Sequence, residues 1–166
     1  MKRGLIAAVF LVISICTTNA QYDTGIGVRF GAPFGSGLDV RHFFSDVQAI
    51  EGNLSTGWGA FILTGLYEIQ KPFESATLST THLDYYYGIG GHFGNFSHPD
   101  KGPFYSESFT TFGIDLILGM EYQFGGIPLA ATIDMKPFWS TNSAYSKHAS
   151  FFNFGLGIRY LLGSAY

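Results

Sequence analysis

What is scarce in this 166-residue chain narrows its class first. Charged side chains make up only 13%, about half the quarter usual in globular proteins, and that pattern argues against a coiled coil or a disordered chain. Bases number 9 against 12 acids, for a formal net charge of −3. A nucleic-acid binder needs the opposite sign gathered on one face, so that class is set aside. Cysteine occurs once, at Cys16, which leaves the rest of the chain without disulfide or thiol chemistry. No stretch after Ala20 approaches the run of about 18 apolar residues that marks a membrane-crossing helix. There is no P-loop, dinucleotide fingerprint or metalloprotease helix either.

Residues 1–20 read as a signal peptide. Lys2 and Arg3 form a positive head, Leu5 to Ile15 an apolar stretch, and Thr18 and Ala20 the small side chains that a signal peptidase accepts. The apolar stretch is well short of the roughly 20 residues needed to span a bilayer. Cleavage after Ala20 removes Cys16, unless that cysteine is kept and lipidated, and Ile15 before it fits lipidation poorly. The expected mature domain is 21–166.

Glycine and aromatic residues are what the chain has in quantity. Gly 22 is nearly twice the usual share of about 7%, and aromatics make up 17%. They recur with a two-residue period. Ile114, Leu116, Leu118, Met120, Tyr122 and Phe124 alternate with Asp115, Ile117, Gly119, Glu121 and Gln123. Phe152, Phe154, Leu156, Ile158, Tyr160 and Leu162 alternate with Asn153, Gly155, Gly157, Arg159 and Leu161. A helix would scatter these around its circumference, whereas a strand sorts them onto two faces. Six further segments follow the same rule: Thr24–Ala32, Leu38–Phe44, Ala49–Gly57, Ala60–Gln70, Leu83–Phe93 and Ile127–Lys136. Eight strands result, most of about 9–11 residues, the length a tilted strand needs to cross hydrocarbon. Strands of soluble proteins are more often about 5–6 residues.

One face of these strands is almost wholly Phe, Leu, Ile, Tyr and Met, and the other holds glycine and nearly every strand charge. A soluble sandwich would bury the apolar face and set many Lys and Glu outside. A closed barrel in lipid needs the reverse. All backbone groups pair around the ring, apolar side chains meet acyl chains, and charges point into the lumen. The expected fold is therefore all-β: a closed antiparallel eight-stranded transmembrane β-barrel behind a cleaved signal peptide. The inward charges are Arg29, Asp39, Arg41, Glu51, Glu68, Asp84, Asp115, Glu121, Asp134, Lys136 and Arg159. Acids outnumber bases, so some are expected near the mouths or sharing protons. Paired carboxylates could serve acid–base chemistry. The reading adopted is a salt-bridge plug that fills a lumen just wide enough for side chains, each charge with a partner. On the same logic, inward Gly119 should accept Ser at less cost than outward Leu118 accepts Arg.

The last strand, Asn153-Phe-Gly155-Leu-Gly-Ile158-Arg-Tyr160, resembles the C-terminal recognition signal of outer-membrane barrels. With AIEGNLSTGWGAFILTGLYEI from Ala49 to Ile69, and GIDLILGMEYQF and IPLAATIDMKP between Gly113 and Pro137, the chain resembles a family of small, largely uncharacterised outer-membrane β-barrels of Gram-negative bacteria. The resemblance covers almost all of residues 21–166. It implies an OmpA- or OmpX-like architecture in the cell outer membrane. Expected partners are outer-membrane lipids and the barrel-assembly machinery, which would engage the last strand. A monomer is expected, with no nucleic acid, cofactor or metal. The departure is the tail Gly163-Ser-Ala-Tyr166, where many family members end on the strand's last aromatic. With both chain ends on one side, connections one, three, five and seven should be the longer ones. Connections five (Asn95 to Ser108) and seven (Ser140 to Ser150) are long, but one and three are short and four (Lys71 to Thr81) is long.

His42, His82, His92, His98 and His148 are dispersed, and His98 near Asp100 reads as an exposed loop rather than a metal site. His148-Ala-Ser150 resembles the histidine–serine pair of lipid A deacylases. No Glu or Asp follows Ser150 to orient the histidine, and Asp134 could substitute only from the neighbouring strand. Gly88-Ile-Gly90-Gly91 lies within a strand, where glycine gives space or a bend rather than a phosphate cradle. The function expected is a structural or surface-interaction protein without catalytic residues. The alternatives are a lipocalin-like carrier of a lipophilic ligand, or a lipid-modifying outer-membrane enzyme.

Overall fold

The computed structural model describes residues 22–32, 35–57, 59–73, 83–96, 109–141 and 152–163. The signal-peptide segment, Cys16, His82, His98, His148 and Ser150 lie outside the described residues. Eight strands follow in order: β1 (Thr24–Ala32), β2 (Gly35–Phe43), β3 (Gln48–Gly57), β4 (Ala60–Pro72), β5 (Leu83–Phe96), β6 (Phe109–Gln123), β7 (Leu129–Ser140) and β8 (Phe152–Leu162). Each pairs antiparallel with its sequence neighbours, and β1 pairs with β8 to close a barrel. No helix long and apolar enough to cross a membrane occurs among the described residues.

Several strands outrun their sequence-based bounds. Lys71 and Pro72 extend β4, Asn95 and Phe96 extend β5, and β6 begins at Phe109. Backbone pairing continues there although the apolar alternation has faded, because a ladder needs only paired N–H and C=O groups. In the other direction Phe44 falls just beyond β2, and Ile127 lies in the β6–β7 turn.

The ends of the barrel differ. The start of β1, the end of β8 and the strand ends joined by the β2–β3, β4–β5 and β6–β7 connections share the proximal end, and the strand ends joined by the other four connections form the distal end. The β3–β4 hairpin turns on Gly59 at φ 76°, and the β6–β7 turn on Gly126 at φ 84°, left-handed conformations that favour glycine. The expected rule of longer distal connections holds for β5–β6 and β7–β8 but not for β1–β2 and β3–β4.

Register sets the barrel's shape. The line from Ala32 runs through Phe154, Met135, Leu118, Tyr87, Ile69 and Gln48. It passes Phe44 and returns to the first strand's run at Tyr22, ten residues from its start. For eight strands spaced about 4.8 Å apart, that stagger gives a tilt of roughly 40° and a radius of about 8 Å. The lumen is then filled by side chains.

Alternation in burial is nearly unbroken along β3, β4, β6 and β8. The outward residues are apolar and exposed: Ile133 is 58% exposed, Ile114 57% and Leu118 53%. Outward Tyr85, Tyr87, Tyr122 and Tyr160 gather toward the proximal end. Phe61, Phe93, Phe112, Trp139 and Phe152 gather toward the distal end, with aliphatic side chains between the two groups.

The inner face is layered rather than uniformly polar. An apolar cluster of Tyr22, Phe43, Ala49, Ala130 and Leu161 closes the proximal end. A second, of Ala60, Ile62, Phe96 and Phe138 with Phe109 against it, lies distally on β4–β7. Leu66, Tyr86 and Ile117 form a third between them. The charges occupy the spaces left.

Candidate functional site

All eleven sequence-derived inward charges, Asp84 included, are buried on the inner face. The chemistry of the molecule is concentrated there, in two groups.

The proximal group is built on two arginines. Arg159 from β8 donates through Nε to Asp39 on β2, through Nη1 to Glu121 on β6 at 3.0 Å, and through Nη2 to Glu51 on β3 at 2.5 Å. Arg41 from β2 reaches Glu51 at 2.9 Å, Glu68 on β4 at 2.7 Å, and Glu121 at 3.3 Å, and it also donates to Gln70 Oε1 at 2.8 Å. Its guanidinium lies 4.0 Å from the centre of the Tyr86 ring, a cation–π contact that fills one face of the ion. Glu51 Oε2 and Glu121 Oε2 are each shared by both arginines. Two guanidinium forks thus hold four carboxylates from four strands, a geometry that matches Arg better than Lys.

Tyr22, just before β1, caps this group. Its ring meets Phe43 edge-on at 5.0 Å, and its hydroxyl donates to Glu121 Oε2 at 3.1 Å. Burial, with the Glu121 carboxylate beside it, holds the Tyr22 phenol well above the usual tyrosine range, so it stays a donor. Asp84, near the proximal start of β5, takes hydrogen bonds from Gln70 at 2.8 Å and Gln123 at 3.1 Å rather than a cation.

The distal group comprises Arg29, Asp134, Asn153, Lys136, His92 and Asp115. Arg29 holds Asp134 through Nε and Nη2 and donates to Asn153 Oδ1 at 2.9 Å. His92 Nδ1 lies 2.7 Å from Asp115 Oδ2, and its ring meets Phe138 edge-on. Sequence reasoning had set the histidines aside as scattered. Yet His92 pairs in register with Gly113, which puts Asp115 two residues along on the same face, within diagonal reach.

One expectation is corrected, and a second, the lower cost of Gly119→Ser than of Leu118→Arg, gains a physical limit. The plug reading gave every charge a partner, but Lys136 makes no ion pair with a described residue. Its register neighbour is Asn153, an amide rather than an acid. Second, Gly119 has no room for a side chain. A Cβ there would sit 2.3 Å from the Tyr86 ring, and that ring is held by Arg41. Similarly, a Cβ at Gly155 would lie 2.3 Å from the Arg29 guanidinium. Gly119 and Gly155 are seats for large neighbours, not spare volume.

Asp134, the one acid that could have stood behind His148 from a neighbouring strand, is engaged by Arg29. Among the described residues no three potential metal ligands gather. In comparisons with known proteins, no protein family matches the chain and no curated protein matches it.

Proposed function

We propose that this chain is an integral outer-membrane β-barrel of a Gram-negative cell, exported by residues 1–20 and inserted through recognition of β8 by the assembly machinery. Its lumen is occluded, and its role is structural or one of surface interaction through the β5–β6 and β7–β8 connections. The carrying observation is the continuous outward belt of exposed Ile, Leu, Val and Phe, rimmed by aromatics at both ends. Each such side chain gains about 1.5–3 kcal/mol when removed from water. Leaving the belt wet would cost on the order of tens of kcal/mol, more than a domain's net stability of about 5–15 kcal/mol. Aromatic rims flanking an apolar band are what a bilayer's interfaces favour.

A lipocalin-like carrier would need an apolar interior, and the Arg41–Arg159 network occupies the space its ligand would take. Fractionation of expressing cells, with a gel comparing heated and unheated samples, tests the proposal. The expected outcome is a heat-shifted species in the outer-membrane fraction that needs detergent for extraction. A protein that remains folded and soluble in the periplasmic fraction without detergent overturns it.

A further inference from the structure

Glu68 is the acid of the proximal group that its surroundings serve least. It is completely buried, yet neither of its oxygens accepts a hydrogen bond from a described residue. Its one ionic contact is Arg41 Nη2 at 2.7 Å, and that same nitrogen also donates to Glu51 at 2.9 Å. The other three acids are better supplied. Glu121 receives both arginines, Tyr22 and Gln70. Glu51 accepts from Arg41 and Arg159, and Asp39 from Arg159 Nε.

The balance of charge points to the same residue. Asp39 on β2, Glu51 on β3, Glu68 on β4 and Glu121 on β6 share two guanidiniums, Arg41 and Arg159, so four ionised acids would leave two negative charges over. From β7, Lys136 lies within electrostatic reach of Glu51 and offsets one of them. From β1, Arg29 also reaches Glu51 but is bound to Asp134. On β5, Tyr86 turns its ring to Arg41 and Asp84 is held by amides. No other arginine or lysine among the described residues is buried on the inner face. Bulk water offers no compensation, because the side chains of Arg41, Glu51, Glu68 and Glu121 are 0% exposed. Carboxylates that share a desolvated site do not all ionise, and a proton removes the surplus charge at the smallest cost in space.

We infer that Glu68 is held as the neutral acid, a proton-binding site at the centre of the lumen whose occupancy is coupled to the stability of the barrel. The site is loaded at neutral pH and empties under alkaline conditions, where the new charge has only a share of Arg41 to balance it. In the unfolded chain a glutamate is ionised above about pH 5. Unfolding near neutrality therefore releases the Glu68 proton, and rising pH favours the unfolded state. The coupling does not depend on where the barrel resides, so its failure would leave the membrane reading standing.

The test compares the full wild-type barrel with Glu68→Gln, both folded in detergent micelles. The amide has the shape of the neutral acid and cannot ionise. At about pH 7 the wild-type infrared spectrum should contain the carbonyl band of a protonated carboxyl that Glu68→Gln lacks. Denaturant unfolding across a range of pH should show wild type losing ground to Glu68→Gln as pH rises, by up to about tenfold in the unfolding equilibrium per pH unit. Should Glu68→Gln not fold, the side-chain carboxyl carbons of 13C-labelled glutamate are read in wild type. One of them should stand at the protonated position at neutral pH and move only on alkalinisation. A band that persists in Glu68→Gln, pH profiles that run parallel, or glutamate carbons that all stand at the ionised position overturn the inference.

Discussion

Arg159→Ala is the perturbation that most directly questions the lumenal network. Among the described residues Arg159 is the one cation that touches Asp39, and it shares Glu51 and Glu121 with Arg41. Truncation therefore leaves unequal consequences. Glu51 and Glu121 keep Arg41, but Asp39, almost completely buried, keeps no cation. Breaking a buried pair by removing one member costs about 3–5 kcal/mol, because the abandoned charge stays desolvated. Set against a net stability of about 5–15 kcal/mol, that is a large fraction. The assay is urea unfolding of the barrel refolded into lipid vesicles, followed by tryptophan emission. Outward-facing Trp139 reports departure from the apolar phase. The midpoint should fall with little change in slope. Asp39→Asn made in the Arg159→Ala background should recover at least about 1 kcal/mol, since neighbours in one network are not additive. A loss below about 1 kcal/mol in Arg159→Ala, or no recovery from Asp39→Asn, would refute the reasoning.

Four further outcomes are expected. Leu118→Arg, at mid-strand on the outer face, should cost about 2–4 kcal/mol in a bilayer; a harmless substitution in vesicle unfolding would mean that this outer face does not meet lipid. Gly119→Ser should cost about 1–3 kcal/mol as overpacking against Tyr86, measured by the same unfolding, and a neutral result would show that Tyr86 moves freely. Tyr22→Ala should cost about 3–5 kcal/mol as a lost core aromatic, and Tyr22→Phe only about 1 kcal/mol for the hydrogen bond to Glu121; equal losses would contradict the packing role. Wild-type protein in planar bilayers should show no steady conductance, because apolar clusters and the arginine network occlude the lumen, and stable channel currents would contradict that occlusion.

Alternation made the strands and their faces legible, since β-side chains repeat every two residues whatever their partners. Residues such as Ile117 between Asp115 and Gly119, or Leu66 between Thr64 and Glu68, could be placed inward by parity alone. Their assembly into apolar layers could not be read that way. It depends on which strands face each other across the ring, and that follows from the stagger. The Arg159–Asp39 contact spans 120 residues, and no local pattern announces it. Strand ends were also obscure. Thr110 and Thr111 carry no apolar signal of their own, yet they continue the β5–β6 ladder beside Asn95 and Gly94. The His92–Asp115 pair was recoverable in principle, because both residues fall on the inward parity of one hairpin. Scanning histidines for metal spacing looked along the chain and missed the neighbour across it.

The network also bears on how this sequence specifies one barrel. An outer face of interchangeable apolar side chains discriminates poorly between registers. The inner face discriminates sharply, because a slip of one residue would turn every lumenal charge outward. The ion pairs go further by joining strands that do not touch. Arg159 ties β8 to β2, β3 and β6; Arg41 ties β2 to β4 and β6; Arg29 reaches from β1 past β8 to β7. A change of stagger would move these partners along the axis by different amounts, and no single compensating shift would restore them all. Hydrogen bonds between adjacent strands accept several staggers, so the cross-lumen pairs are the interactions that distinguish among them. The inward glycines serve the same end. Gly155 and Gly119 are positioned opposite the Arg29 guanidinium and the Tyr86 ring, where a side chain would meet them.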